Sequence, residues 1–543
     1  MKQRALILLL VSVGFVGNAP AQRPPSGFVT FDHGETALRL FYPKSFQSTP
    51  TPPTEKLTLA SFSRRKAYRA KAKDRHRRPS SFLVFALEPR TTPGAGGAPA
   101  GAGGKPKKES PTSYEDLVER RNDVHTWRDF LKTRVRGWVV DGGRKEVFEK
   151  TGTEVYTLRA VRGGGPAGAR RLGYLYVRNA GGRIFGVVGF CDEVVAKHMQ
   201  RQFRKVCESI HLPKGHRAVK VVGEDFYRGK EKKLRDIPFR VQARREMLKG
   251  WKGVDTPNFF IVHHTTNKRL VSKVANDLEA VRPVYEKLFP PTRPIDAVSV
   301  VRICRDRDEY LRYGGSPSSA GYWNFVAKEL VLFDASKRTA SQGRKQKTRP
   351  LADSYIVLYH EAFHQYIFYA AGEISPHDWF NEGHGDYFSG LTVYKGSSKV
   401  KGIGLNRWRI GRIKATLGTS RFIPLKRLLY ATHREYYAPR EAGQMYSEGW
   451  ALCYFLHDVT KNPKWRAIVP TYYEALKEGR ALHVDTLEDG ASLAMRQREL
   501  EKVKDRALAK ALKGIDLAAM EKAWFAWMKK VKDPWAAHRK KRR

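Results

Sequence analysis

The run His360-Glu361-Ala362-Phe363-His364 constrains this 543-residue chain more than any other feature. Two histidines four residues apart stand one above the other on a single helical face, so both imidazoles can reach one cation. Tyr355, Ile356, Leu358 and Tyr359 before the run and Ile367 and Phe368 after it recur at helical spacing, with no Gly or Pro between them. That pattern predicts a helix with the motif near its middle. Glu361 then lies on the cation's flank, close enough to take a proton from an activated water. Two neutral nitrogen ligands and an adjacent carboxylate are what a zinc hydrolase requires. The bland alternative is an amphipathic core helix with two incidental histidines.

The following segment argues against that alternative. After Gly372, a helix-stop signal, the chain reads SPHDWFNEGHGDYFSG, which places Glu382 after His364 with 17 residues between them. The spacing predicts a second helix returning beside the first and offering Glu382 as third ligand, with the fourth position of the metal left open. Asp386, at i+4 from Glu382, shares its face and is placed to accept the free N–H of a ligating histidine. His384 is the competing ligand. At i+2 it points away from Glu382, and it reads as a pocket-edge or surface residue.

HEAFHQ followed by WFNEGHGDYF resembles the gluzincin branch of zinc metallopeptidases, in which the helix motif is completed by a downstream glutamate. Within that branch the chain is most similar to peptidase-like proteins of bacterial envelopes, whose pattern reads HExxHQ, then WxxEGxAxYF, then YxxxWxLxxFL. The third element appears here as Tyr446-Ser447-Glu448-Gly449-Trp450-Ala451-Leu452-Cys453-Tyr454-Phe455-Leu456, and the resemblance spans roughly residues 255 to 460. Gly385 stands where the pattern prefers alanine, a small-for-small change expected to leave the ligands untouched. The resemblance implies a bound Zn2+ held by His360, His364 and Glu382, with Glu361 as general base and a peptide or protein substrate. It also implies an edge strand that pairs with substrate, for which the candidate is Ser319-Ala320-Gly321-Tyr322-Trp323 leading into Glu329–Phe333, with Ala320, Gly321 and Tyr322 as the substrate-binding residues; an ordinary buried hairpin is the competing reading. No GxMEN-type motif for a substrate's free amine is present, which favours an endopeptidase. The family's placement of a tyrosine or histidine donor points to Tyr446, with His433 and Tyr437 as substitutes, against a reading of Tyr446 as one more core aromatic beside Trp450.

The chain begins MKQRALILLLVSVGFVGNAPAQ, with a basic n-region at Lys2 and Arg4, an apolar stretch from Ala5 to Phe15 and an Ala19-Pro20-Ala21 cleavage signature. Residues 1–21 therefore read as a secretory signal peptide, with an uncleaved anchor as the alternative. No later stretch is apolar for long enough to span a bilayer. Export permits disulfides, yet there are only four cysteines. Cys191 and Cys207 bracket the helical pattern Val195, Met199, Phe203, Val206, Ile210, which would hold them about 24 Å apart against the roughly 7 Å limit for a bridge. They read as core thiols, whereas pairing of Cys304 and Cys453 is left open. Without C-x-x-C, or a cysteine beside the motif, cysteine zinc sites and thiol proteases are disfavoured.

Length and composition suggest roughly two to four domains. Residues 93–111, PGAGGAPAGAGGKPKKESP, read as a flexible loop inside a first domain spanning 26–213. Around it lie strand-like runs at 38–42, 81–86 and 154–158. RLGYLYVRNAGGRIFGVVGF then reads as two strands joined by Asn179-Ala180-Gly181-Gly182, with a helix from Glu193 to Ser209. This layout is similar to the α/β sandwiches of PsbP-type and Mog1-type proteins. Neither glycine cluster is a nucleotide site: Gly163-Gly164-Gly165-Pro166 opens no helix, and Pro106 follows Gly104-Lys105. A charged linker at 214–236 is expected next, then a catalytic domain at 237–535 and a basic tail at 536–543. In that domain 259–262 and 298–301 read as strands flanking a helix from Val271 to Leu288, with His263 and His264 as non-ligands. The expected class is α+β, an α/β sandwich followed by a mixed sheet over the motif helix and a helical C-terminal half.

With 101 Lys plus Arg against 54 Asp plus Glu, the net charge is +47. A spread excess of this size suits a surface facing anionic envelope polymers, though a general basic bias with solvated side chains explains it equally well. No nucleic-acid-binding motif accompanies it. The sequence is thus read as an exported zinc-dependent peptidase, the alternative being a catalytically silent envelope-binding or scaffold protein with a gluzincin-like domain. An intact Glu361 favours the enzyme.

Overall fold

Alternating apolar residues in the first third of the chain build one sheet, and continuous apolar runs near its middle build another. The computed structural model describes residues 23–33, 38–64, 79–89, 114–149, 151–161, 170–180, 182–211, 223–245, 247, 250–317, 319–336, 351–394, 399–487, 491–533 and 536. The expected signal segment 1–21, the glycine-rich segment 93–111 and all of the basic tail beyond 536 lie outside the described residues. Among the described residues the architecture is mixed α+β, with several sheets and about 15 helices.

The first sheet has seven antiparallel strands in the spatial order Phe46–Thr49, Thr58–Arg64, Ser81–Leu87, Arg183–Asp192, Arg171–Ala180, Thr153–Ala160 and Trp138–Phe148. Alternation decides its two faces. Tyr174 and Tyr176 point with Phe82, Val84 and Val187 towards the helix Ala196–Glu208, which contributes Met199, Phe203, Val206 and Cys207. Leu175 and Val177 point with Phe85 and Val188 towards the helix Trp127–Arg134 and its Trp127, Phe130 and Leu131. The hairpin Phe28–His33 with Leu38–Pro43 closes the first of these faces. Gly189 is required there, because a Cβ would fall 2.3 Å from the Phe203 ring. In the expected hairpin Ala180 pairs with Arg183. The following helix begins three residues later than expected, after a 3-10 turn at Glu193–Val195. Cys191 and Cys207 are free and buried, and burial pushes each thiol up to about 12. Cys304 and Cys453 are likewise free and buried.

The second sheet runs Lys252–Asp255, Phe259–His263, Ser299–Cys304, Glu329–Phe333, Gly321–Asn324. Its three central strands are parallel and the outer two antiparallel. Both Phe259–His263 and Glu329–Phe333 are buried along their whole length, as a parallel strand covered on two faces must be. The crossover helix Lys268–Leu288 and the motif helix Leu351–Ala370 cover one face. They are tied by Tyr285 Oη donating to the Tyr359 carbonyl at 3.0 Å. Trp251, Tyr310 and Tyr313 cover the other face. His263 and His264 are engaged elsewhere, with Thr265 O and Glu309 respectively.

Of the expected linker 214–236 the structure describes residues 223–236, most of them exposed to solvent. Residues 212–222 lie outside the described set, and Tyr227 and then Arg240 anchor the chain beyond Gly223 to the second sheet. Tyr227 is buried and donates to Asp255 at 3.2 Å, and the fully buried Arg240 reaches Asp255 at 3.0 Å and the Thr256 and Phe259 carbonyls at 2.9 and 3.0 Å. The lysines that made the segment read as a linker face solvent between these anchors. The two sheets' units touch where Arg312 Nε donates to Thr49 Oγ1 at 3.0 Å.

Helices from Ile410 to Lys530 form the C-terminal half. Among the described residues no helix is long and apolar enough to cross a membrane. One buried carboxylate there gives a pH prediction. Glu448 accepts from the Ile423 N–H at 3.1 Å and from the Gln444 amide; burial, with Glu521 as a further negative neighbour, raises its pKa to about 8. The folded state then keeps a proton that the unfolded chain loses near pH 4.5, so stability falls as pH rises from about 4.5 to about 8. Glu448→Gln is expected to remove that decline and to raise stability at pH 9 by about 1 to 3 kcal/mol, as read from thermal melts across pH.

Candidate metal centre

The motif helix is fixed by its buried face and by a sharp stop. Leu358, Ala362, Phe363 and Ile367 are buried against the crossover helix and sheet. At its end Gly372 adopts φ +83°, its N–H bonding to Tyr369 O at 3.0 Å and that of Glu373 to Phe368 O at 2.7 Å. This left-handed cap reverses the chain. The helix Asp378–Phe388 then packs beside the motif helix, and the helix Ala442–Tyr454 packs across it. That second crossing requires glycine, since a Cβ at Gly383 would fall 2.7 Å from the Gly449 carbonyl oxygen.

These helices bring His360, His364 and Glu382 together. His360 Nε2 lies 3.0 Å from Glu382 Oε2, and His364 Nε2 lies 3.4 Å from the same oxygen. One donor atom from each residue falls within 4.8 Å of the others, and all three residues are almost wholly removed from solvent, so the group can hold a metal ion. The remaining nitrogens are also engaged: His360 Nδ1 is 3.4 Å from Asp386 Oδ1, and His364 Nδ1 is 2.9 Å from Asn381 Oδ1. Such acceptors set the ring orientation and leave both Nε2 atoms facing the ligand position. Asp386 is itself held by Arg409 Nε at 2.5 Å and by Asn406, whose amide donates to its backbone carbonyl at 3.0 Å.

Electrostatics favour a cation at this point. Burial opposes charge on every member, yet His364 and His360 hold the Glu382 carboxyl well below its usual range. Against the same burial, Asp386 and Glu382 hold His360 well above the usual imidazole value. Two imidazoles and a carboxylate are a donor set that suits zinc and leaves one tetrahedral position open.

Glu361 faces the edge of the sheet. Its Oε2 accepts from the Trp323 N–H at 3.0 Å, and burial raises its pKa above the ordinary carboxylate value. Of the three expected strand residues, Gly321 is the one that abuts Glu361: a Cβ there would lie 2.6 Å from Val357 and 3.3 Å from Glu361 Cγ. Ala320 and Tyr322 instead pack in the cluster on the far face, with the Tyr322 ring 5.8 Å from Tyr310. Consecutive strand residues alternate faces, so their side chains divide in this way although Gly321–Asn324 is the outermost strand of the sheet. Trp323, the last residue of the candidate strand, is the one whose N–H meets Glu361.

Tyr446 reaches the site with its ring stacked on His360, centroids 6.2 Å apart at 26°, and with the Arg409 guanidinium 4.8 Å over it. Its hydroxyl pairs with that of Tyr437, which donates to Glu382 Oε1. His433 is exposed, 3.2 Å from Asp378. His384 does not lie at a pocket edge or on the surface. It is fully buried, with Nδ1 2.7 Å from Phe380 O and Nε2 2.9 Å from His457 Nε2, and burial keeps it neutral. The face it points to is covered by the helix Ala442–Tyr454 and the turn Phe455–Val459, which arrive from some 60 residues downstream.

Asn381, Asn406 and Arg409 were not anticipated. The number of ring nitrogens was the available signal, because two ligating histidines need two acceptors and Asp386 serves only one. At Gly385 the reverse change, to alanine, is not a neutral one. A Cβ there would lie 2.8 Å from both Cε1 and Nδ1 of His360, so alanine displaces a ring already held by Asp386 and Glu382. Gly385→Ala is therefore expected to weaken metal binding about 10- to 100-fold, measured by chelator competition, with the circular dichroism spectrum unchanged.

The chain matches no family model and no curated protein. Among solved structures it has a weak likeness to small proteins, in its N-terminal part. The solution structure of a cyanobacterial PsbP from Synechocystis aligns at 12% identity over 38% of this chain and 99% of that one, with a TM-score of 0.21. The Saccharomyces cerevisiae Ran-binding protein Mog1p and a mutant Mog1 protein each align at 10% identity over 34% of this chain and 95% of theirs, with TM-scores of 0.20 and 0.19. Nothing about activity follows from these.

Proposed function

We propose that this protein is an exported zinc-dependent metallopeptidase of the gluzincin type that cuts within peptide chains. The observation that carries the reading is the convergence of His360, His364 and Glu382 on one point, with Glu361 beside them against an edge-strand amide. Zinc held there would activate water as a nucleophile and polarise the scissile carbonyl. Glu361 takes the proton of the attacking water and passes it to the leaving amine, a role suited to a carboxylate whose pKa burial raises. The Trp323 N–H that now meets Glu361 becomes a donor to an incoming extended peptide, and Gly321 lets that peptide approach the helix. Tyr446 donates to the oxygen on which charge develops. Asp386 and Asn381 keep the two imidazoles aimed inward.

The test is metal analysis of the purified full-length protein together with digestion of a broad peptide library. About one zinc per chain and internal cleavage that a chelator stops and zinc restores are expected. A chain that takes up no zinc on reconstitution overturns the reading. A zinc-loaded chain that cleaves nothing leaves the envelope-binding alternative in its place.

A further inference from the structure

Tyr437 stands at the mouth of the metal cluster, 36% exposed, immediately after the short helix His433–Tyr436. That helix is pinned by a capping box in which the Thr432 hydroxyl accepts from the Glu435 N–H and the Glu435 carboxylate accepts from the Thr432 N–H. The Tyr437 ring is wedged between His433, with centroids 4.5 Å apart, and Tyr446, at 5.9 Å. Its placement is therefore set by neighbours on both sides. The two oxygens of Glu382 face different partners: Oε2 faces the Nε2 atoms of both His360 and His364, and Oε1 accepts the Tyr437 hydroxyl.

We infer that Tyr437 is a positioning residue that holds Glu382 to a single metal-facing oxygen, Oε2, and so preserves the open coordination position the reaction needs. This rests on the metal reading of the site. A carboxylate is free to bind a cation through one oxygen or two, and the second mode fills a position that water or substrate would otherwise take. A phenol on Oε1 forms a charge-assisted hydrogen bond, among the stronger kinds, and occupies that oxygen. Tyr446 does not do this work, because its hydroxyl meets that of Tyr437 while Tyr437 is the one that reaches Glu382 Oε1. The short sequence THREYY thus acquires a role the sequence motifs do not assign.

The experiment uses the full-length protein, its Tyr437→Phe variant and, as comparison, Tyr446→Phe. Each is loaded with Co2+, and the visible absorption is recorded; Zn2+ affinity is measured by chelator competition. Tyr437→Phe is expected to shift the cobalt spectrum to the weaker bands of higher coordination and to reduce zinc affinity about 10- to 100-fold. Tyr446→Phe is expected to keep the wild-type cobalt spectrum. Tyr437→Phe with the wild-type spectrum and affinity overturns the inference while leaving the metal site standing. Wild-type protein that binds neither metal overturns both.

Discussion

Glu361→Gln is expected to lower kcat by about 10² to 10⁴ while leaving zinc content and fold intact. The substitution keeps the shape of the side chain, and an amide oxygen still accepts from the Trp323 N–H at the position where Oε2 now lies 3.0 Å away. What is lost is the ability to take and return a proton. No ligand changes, because His360, His364 and Glu382 meet one another without Glu361. Stability is expected to hold or to rise slightly, since Glu361 is a carboxylate raised in pKa by burial and by the nearby Glu382 charge. Steady-state cleavage of a library-derived peptide, zinc content by mass spectrometry and a thermal melt measure the three quantities. Undiminished cleavage by the variant removes Glu361 from the mechanism.

Much of the site was legible because its main parts are local. The motif helix follows from apolar spacing, its end from Gly372, and the return of Glu382 from a 17-residue gap that fits one turn and the start of a second helix. The strands at 171–192 were legible through alternation across a short turn. What escaped was set by segments that meet only in three dimensions. His384 has the same local sequence whether it is exposed or buried; its partner His457 lies 73 residues downstream. Tyr437 bonds Glu382 across 55 residues, and Gly385 shows its crowding only once the His360 ring is in place. In the first unit, Trp138–Phe148 is interrupted by Gly142 at φ +61° and a register shift between Val140 and Lys145, which breaks the period-two pattern that announces a strand.

Tyr446→Phe carries the second large expectation, a fall in kcat of about 10² to 10³ with KM little changed. A donor that acts only on charge developing in the transition state contributes nothing to substrate binding, so its loss appears in kcat alone. Tyr446 suits that role in three respects. Its ring sits between His360 and the Arg409 guanidinium, so the hydroxyl has little freedom to leave the site. Burial, followed by the nearby Glu382 charge, holds its pKa well above 10, so it remains a proton donor throughout the neutral range. Its helix is anchored by the fully buried Leu452 and by Trp450, so deleting one hydroxyl leaves the backbone in place. Measured over pH 6 to 9, the deficit should therefore be constant, in contrast to a group that titrates in that range. A kcat equal to wild type would take the donor role from Tyr446 and leave Tyr437, whose hydroxyl is its hydrogen-bond partner, as the group to test next. A raised KM with unchanged kcat would instead make Tyr446 a substrate-binding aromatic.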